Sequence, residues 1–170
     1  PDDVLALAPH YREAGDLVDT DRAVEVMAEA GWRAMAVLDA DEAVQYLGTA
    51  AQTARPELLP SLLEGLGRAH QARGNLDDAA AAWTSAAELA GGELLTSLRR
   101  RLALLESERG NHTVAWRHSE AAATTVSAPD AITLKMIFTI RHGDRTATKA
   151  MADEMIAFAR IALAALVLAP

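Results

Sequence analysis

A set of residues recurs at a constant interval of 36, and this constrains the chain more than any other feature. A fixed period in the range of about 20 to 50 residues marks a stack of small supersecondary units. The fullest copy runs Leu63, Leu66, Gly67, His70, Gly74, Asn75, Ala79, Trp83 and Ala86. One interval later, Gly110-Asn111 matches Gly74-Asn75, and Ala115, Ser119 and Ala122 match Ala79, Trp83 and Ala86. One interval earlier, Ala43, Leu47 and Ala50 hold those last three places.

Each element of the unit has a physical use. A glycine at 67 lets a partner helix cross closely. A glycine at 74 supplies the left-handed residue that closes a first helix. Alanines at 79 and 86 are small where two helices touch. Trp83 is large enough to fill the gap between neighbouring repeats. The pattern predicts helices near 4–14, 22–38, 42–54, 58–73, 76–90, 93–109, 112–125, 130–142 and 145–168. Asp41, Asn75 and Asn111 stand where N-caps belong. Pro56, Pro60 and Pro129 stand at or near helix starts, where a missing N–H costs nothing. The segment Ile132–Ile140 alone has strand-like composition.

The unit resembles a tetratricopeptide repeat (TPR). That family has tyrosine where His70 stands and usually proline near Glu93; its usual period is about 34, so each connection here carries two extra residues. The resemblance implies an all-α chain of antiparallel helix hairpins, a TPR-like α-solenoid wound as a right-handed superhelix with a concave groove. It would form one domain over 1–170, with a leading helix at 4–14 and repeats near 22–55, 58–90, 93–125 and 130–160.

A second resemblance covers about residues 5–55. Ala8-Pro9-His10-Tyr11-Arg12-Glu13-Ala14-Gly15-Asp16, followed by Ala23, Ala28, Ala30, Ala34 and Ala43, is similar to a passage in LuxR-type large ATP-binding transcriptional regulators and related cyclases and kinases. There it joins an ATPase module to a helical-repeat array. In this chain Leu17-Val18-Asp19-Thr20 lengthens the loop. The resemblance implies an interaction or sensing arm of a signalling ATPase, with a DNA-binding or catalytic domain elsewhere. The start at Pro1 and the apolar end Leu166–Pro170 are read as cuts within a longer protein.

Composition narrows the function. Hydrophobic residues make up 51% of the chain but aromatic ones only 4%, and 38 are alanine, the best helix former. Fourteen arginines against two lysines, with that alanine excess, suggest a GC-rich genome such as an actinobacterium's. A net charge of -8 repels nucleic acid and anionic membrane. There is no cysteine, which excludes disulfides and thiolate metal sites and suits the cytoplasm. The longest apolar stretch, Ile161–Ala169, is far short of the roughly 20 residues of a membrane span. It reads instead as a face expecting a neighbouring helix, and so as a route to self-association.

Catalytic constellations are weak. Ile140-Arg141-His142-Gly143-Asp144-Arg145 resembles the histidine acid phosphatase signature, but Ala147 replaces its proline and only 25 residues follow Arg145. His10, His70, His112, His118 and His142 lack ligand spacing, and no cofactor is expected. The carboxylate clusters Glu106/Glu108/Glu120 and Asp39/Asp41/Glu42 read as solvated charge. Arg99-Arg100-Arg101 spreads around most of a helix, its stems packed down. Function is therefore expected on the first helix of each hairpin. Trp32, Met35, Glu64, Arg68, Gln71, Arg100, Leu104 and Ser107 are the candidates to line a groove for a protein, a peptide or a small effector. Arg68 and Arg100 are suited to grip an acidic group. The lysine–asparagine clamp of the family's chaperone-tail binders is absent. A structural spacer or oligomerisation arm is the alternative.

Overall fold

The computed structural model describes residues 4–14, 19–123, 149 and 153. Seven helices lie among the described residues: α1 (Val4–Ala14), α2 (Thr20–Ala36), α3 (Ala40–Thr53), α4 (Leu59–Ala72), α5 (Leu76–Leu89), α6 (Gly92–Glu108) and α7 (His112–Ala123). The expected helices at 130–142 and 145–168, the strand-like 132–140, the phosphatase-like 140–146 and the apolar 161–169 lie outside the described residues. The chain divides into two compact units, Pro1–Gly91 and Gly92–Pro170.

In the first unit, packing runs between sequence neighbours: α1 on α2, α2 on α3, α3 on α4 and α4 on α5. This is the nearest-neighbour packing of a repeat stack, in which each hairpin relies on the next to cover its apolar face. Val24, Met27, Ala30, Tyr46, Leu47 and Leu62 form the main core, with Val4 and Ala8 of α1 against it. In the second unit α6 packs on α7. Leu98, Leu102 and Leu105 are buried there, and Ala103 meets Ala115 beside Trp116.

The period of 36 in sequence is a period in structure. Ala43, Ala79 and Ala115 are each fully buried, and so in effect are Ala50, Ala86 and Ala122. The three first helices also end alike. Asp39, Asn75 and Asn111 donate their N–H groups to the carbonyls of Ala34, His70 and Glu106 at 2.9, 2.9 and 2.8 Å. These six-to-one bonds satisfy carbonyls that a helix end would otherwise leave bare. The residue before each donor is left-handed: Leu38 at φ 63°, Gly74 at φ 80° and Gly110 at φ 79°.

The contact inside each hairpin is matched in volume. A Cβ added to Gly31 would stand 2.5 Å from Leu47 Cγ, and one added to Gly67 would stand 2.3 Å from Trp83 Nε1. The third hairpin has Ala103 and Ser119 at these places, both fully buried. A methyl is admitted there because the residue opposite has shrunk to serine. Trp83 therefore packs within its own hairpin. Its ring lies against Gly67, 1% exposed, and its indole N–H donates to the Glu64 carbonyl at 3.0 Å.

Local corrections concern the caps. Asp39, not Asp41, caps α3: its Oδ1 accepts from the Glu42 N–H at 3.0 Å. The left-handed turn at Leu38 brings Asp39 to the cap position one residue later. Asp19 caps α2 through the N–H groups of Asp21 and Arg22, so the helix begins at Thr20 rather than 22. Asn75 occupies the N-cap of α5 without a side-chain cap bond.

Candidate functional site

The first-helix candidates follow the same period. Trp32, Arg68 and Leu104 are equivalent positions, as are Met35, Gln71 and Ser107, and as are Glu64 and Arg100. The hairpin positions just before the first row, Gly31, Gly67 and Ala103, are small and face the second helices. That contact turns the next residue in sequence, about 100° round the helix, away from the second-helix partner.

In the first unit, α2 and α4 bring five candidates onto neighbouring helices. The Trp32 ring lies over Gly65 of α4, where an added Cβ would stand 2.3 Å from Cη2. Trp32 thus spans two successive first helices and remains half-buried. Met35, also half-buried, packs with Val44 against the cluster of Ala34, Ala43 and Ala69. Arg68 and Gln71 are exposed on α4. The Arg68 guanidinium stands 4.0 Å from the Glu64 carboxylate, at the outer limit of an ion pair, and its side chain is 43% exposed. Such a pair holds the arginine weakly and leaves its donor fork accessible.

In the second unit, Arg100 and Leu104 of α6 are exposed, Leu104 at 43%. Ser107 is buried, contrary to its expected place on a lining surface. The Gly110 N–H is bonded to the Ser107 carbonyl, as the Gly74 N–H is to that of the exposed Gln71, so this turn bond does not account for the difference. Of the neighbouring arginines, Arg99 donates to the Ala121 carbonyl at 2.9 Å and ties α6 to α7.

The polar residues read as packing or solvated charge divide differently. His70 is mostly buried, and desolvation lowers its pKa below the ordinary 6.5, against the nearby Asp78. Burial likewise lowers His118, with Glu106 opposing. Glu106 is buried rather than solvated: Arg109 donates to Oε1 and Asn111 Nδ2 to Oε2 at 2.6 Å. It stands one period after His70 and two after Ala34, at a core position, and it staples the α6–α7 turn. Among the described residues no three His, Asp or Glu side chains form a metal site. No described helix is long and apolar enough to cross a membrane.

These features define the class of architecture: helix hairpins of one register, with sequence neighbours packed together inside each unit. Solved structures of TPR-like repeats share it. One of nearly identical TPR-like repeats from a putative kinesin light chain of Podospora anserina superposes with a TM-score of 0.71 at 16% identity, over 98% of this chain and 88% of that one. MamA gives 0.65 at 17% identity, over 93% and 92%. PilF of Pseudomonas aeruginosa gives 0.63 at 18% identity, over 91% and 74%. Likeness at such low identity establishes the fold, which is all-α and TPR-like. No protein-family model matches the sequence, and no curated protein matches it.

Proposed function

We propose that the chain is a non-catalytic protein-binding arm that takes a partner segment on the first helices of its first unit, α2 and α4. The observation that carries this is the row of equivalent positions 32, 68 and 104. The contact positions beside it are held small by packing, whereas this row varies from indole to guanidinium to an exposed leucine. Trp32 and Met35 offer an apolar anchor, of the kind that dominates binding energy. Arg68, with Gln71 one turn on, offers a bidentate donor to a carboxylate. The partner class is therefore a segment carrying an acidic side chain next to a large apolar one. Arg100 and Leu104 present the same pairing of chemistries on α6.

The wider setting follows from the resemblance at residues 5–55. The arm belongs to a bacterial ATP-binding transcriptional regulator of the LuxR type, and partner binding is passed to its attached modules. The protein acts in the cytoplasm.

Titration of acidic–apolar peptides into the isolated chain tests the binding surface. Charge reversal at Arg68 and Arg100 should abolish binding, with stability changed by no more than about 0.5 kcal/mol. Binding left intact by both reversals would refute the assignment.

A further inference from the structure

The α2–α3 turn breaks the rule that the other two turns obey. Leu38 occupies the place of Gly74 and Gly110 and adopts their left-handed conformation, at φ 63°. A branched side chain there is strained by roughly 1–2 kcal/mol. Burial commonly offsets such strain, but Leu38 is 90% exposed and its neighbour Val37 is 70% exposed. No other described large apolar side chain is as exposed as either. The two line an open hollow of about 420 Å³ together with Asp39, Ala40, Asp41, Ala72 and Arg73.

The surrounding charge selects the occupant. The antiparallel hairpins of the first unit place the starts of α3 and α5 at one edge, with the ends of α2 and α4. Asp39, Asp41 and Glu42 lie at the first start and Asp77 and Asp78 at the second, all exposed. The cation within the hollow is Arg73, whose Nε is 2.7 Å from Asp41 Oδ1. Arg33, near the end of α2, is paired with Glu29. The edge is thus strongly acidic around an apolar knob.

We propose that this turn is a second docking surface, separate from the first-helix row. It takes a protein segment in which a lysine or arginine adjoins a large apolar side chain. The partner's apolar group packs on Val37 and Leu38. Its cationic head enters the hollow beside Asp39 and Asp41. The strain at Leu38 is then retained because it holds the side chain out from the turn, ready for contact.

The test titrates the full chain with a short synthetic peptide of alternating leucine and lysine. Two control peptides replace lysine by glutamate or leucine by serine. Binding is followed by amide chemical shifts. The leucine–lysine peptide should bind saturably, shift Val37–Asp41 and Ala72–Arg73, and outcompete both controls. Leu38→Gly keeps the backbone conformation and removes the knob, and it should weaken binding about tenfold or more. Arg68→Glu should leave this binding unchanged, which separates it from the first-helix surface. Absence of saturable binding, or equal affinity for Leu38→Gly, overturns the proposal. So does a concentration-dependent dimer that Leu38→Gly abolishes, because the occupant would then be a second copy.

Discussion

Substituting Gly67 by alanine tests the hairpin contact, because the cost depends on what stands opposite. The new Cβ would lie 2.3 Å from Trp83 Nε1 and 2.4 Å from Cδ1. The indole is fully packed and tied to the Glu64 carbonyl, so it cannot retreat without losing that bond. Overpacking costs about 1–3 kcal/mol, and loss of the bond adds about 0.5–1.5 kcal/mol. Alanine's better helix propensity returns about 1 kcal/mol. The net destabilisation is about 2 kcal/mol, the terms spanning roughly 0.5–3.5 kcal/mol. Trp83→Ser alone should cost about 3–5 kcal/mol, as for a large core truncation. In the Trp83→Ser background, however, the methyl at 67 meets open space. The pair then reproduces Ala103 and Ser119 of the third hairpin, and Gly67→Ala should be neutral or stabilising by about 1 kcal/mol. Urea denaturation of the four proteins, followed by far-ultraviolet circular dichroism, gives the coupling energy, expected at about 2–3 kcal/mol. Additivity within about 0.5 kcal/mol, or a harmless Gly67→Ala in the parent, would refute the reasoning.

Further predictions concern single positions. Leu38→Gly should raise stability by about 0.5–1 kcal/mol, because relief of left-handed strain exceeds the added freedom of the unfolded chain; a lower melting temperature would contradict it. Glu106→Ala should cost about 1.5–3 kcal/mol, the range for hydrogen bonds to a buried charge, whereas Glu25→Ala at the exposed Arg22 pair should cost under about 1 kcal/mol. His70 and His118 both have native pKa values below 6.5, through burial first. The unfolded chain therefore takes up more protons in acid, and stability should be complete above pH 6.5 and fall as pH drops below it. His70→Tyr should make that acid limb shallower in melts across pH, and an unchanged slope would show that His70 does not contribute.

Much of this architecture is legible in the sequence because alanine and glycine are informative here. Residues 43, 79 and 115 must be small for helices to touch, and that requirement reaches the surface of the sequence as a period. The bounds of the seven described helices accordingly fall within about two residues of expectation. What escaped were positions where residue type and environment disagree. Leucine does not announce a left-handed turn, so the cap was expected at Asp41 rather than Asp39; adding 36 to 38 finds Gly74, and adding it again finds Gly110. Glu106 looks like surface charge until the same shift aligns it with the mostly buried His70 and the buried Ala34. The packing of Trp83 within its own hairpin is visible once one notices that Gly31 precedes Leu47 by the same 16 residues that separate Gly67 from Trp83. The first-helix row was also visible, but a surface row carries its partner's chemistry only in outline. Ser107 left it although the same turn bond closes at Gln71, which stays exposed, so residue type did not give its burial away.

The shared register is best tested by adding one carboxylate to each hairpin at its fully buried alanine and, separately, at an exposed neighbour. Ala79→Asp against Ala81→Asp is the sharpest pair, since both sit in α5 two residues apart. Thermal melts should show Ala79→Asp, Ala43→Asp and Ala115→Asp each severely destabilised, with Ala81→Asp close to the parent. If Ala79→Asp and Ala81→Asp melted together, the three alanines would not mark equivalent helix contacts, and the repeat assignment would fail.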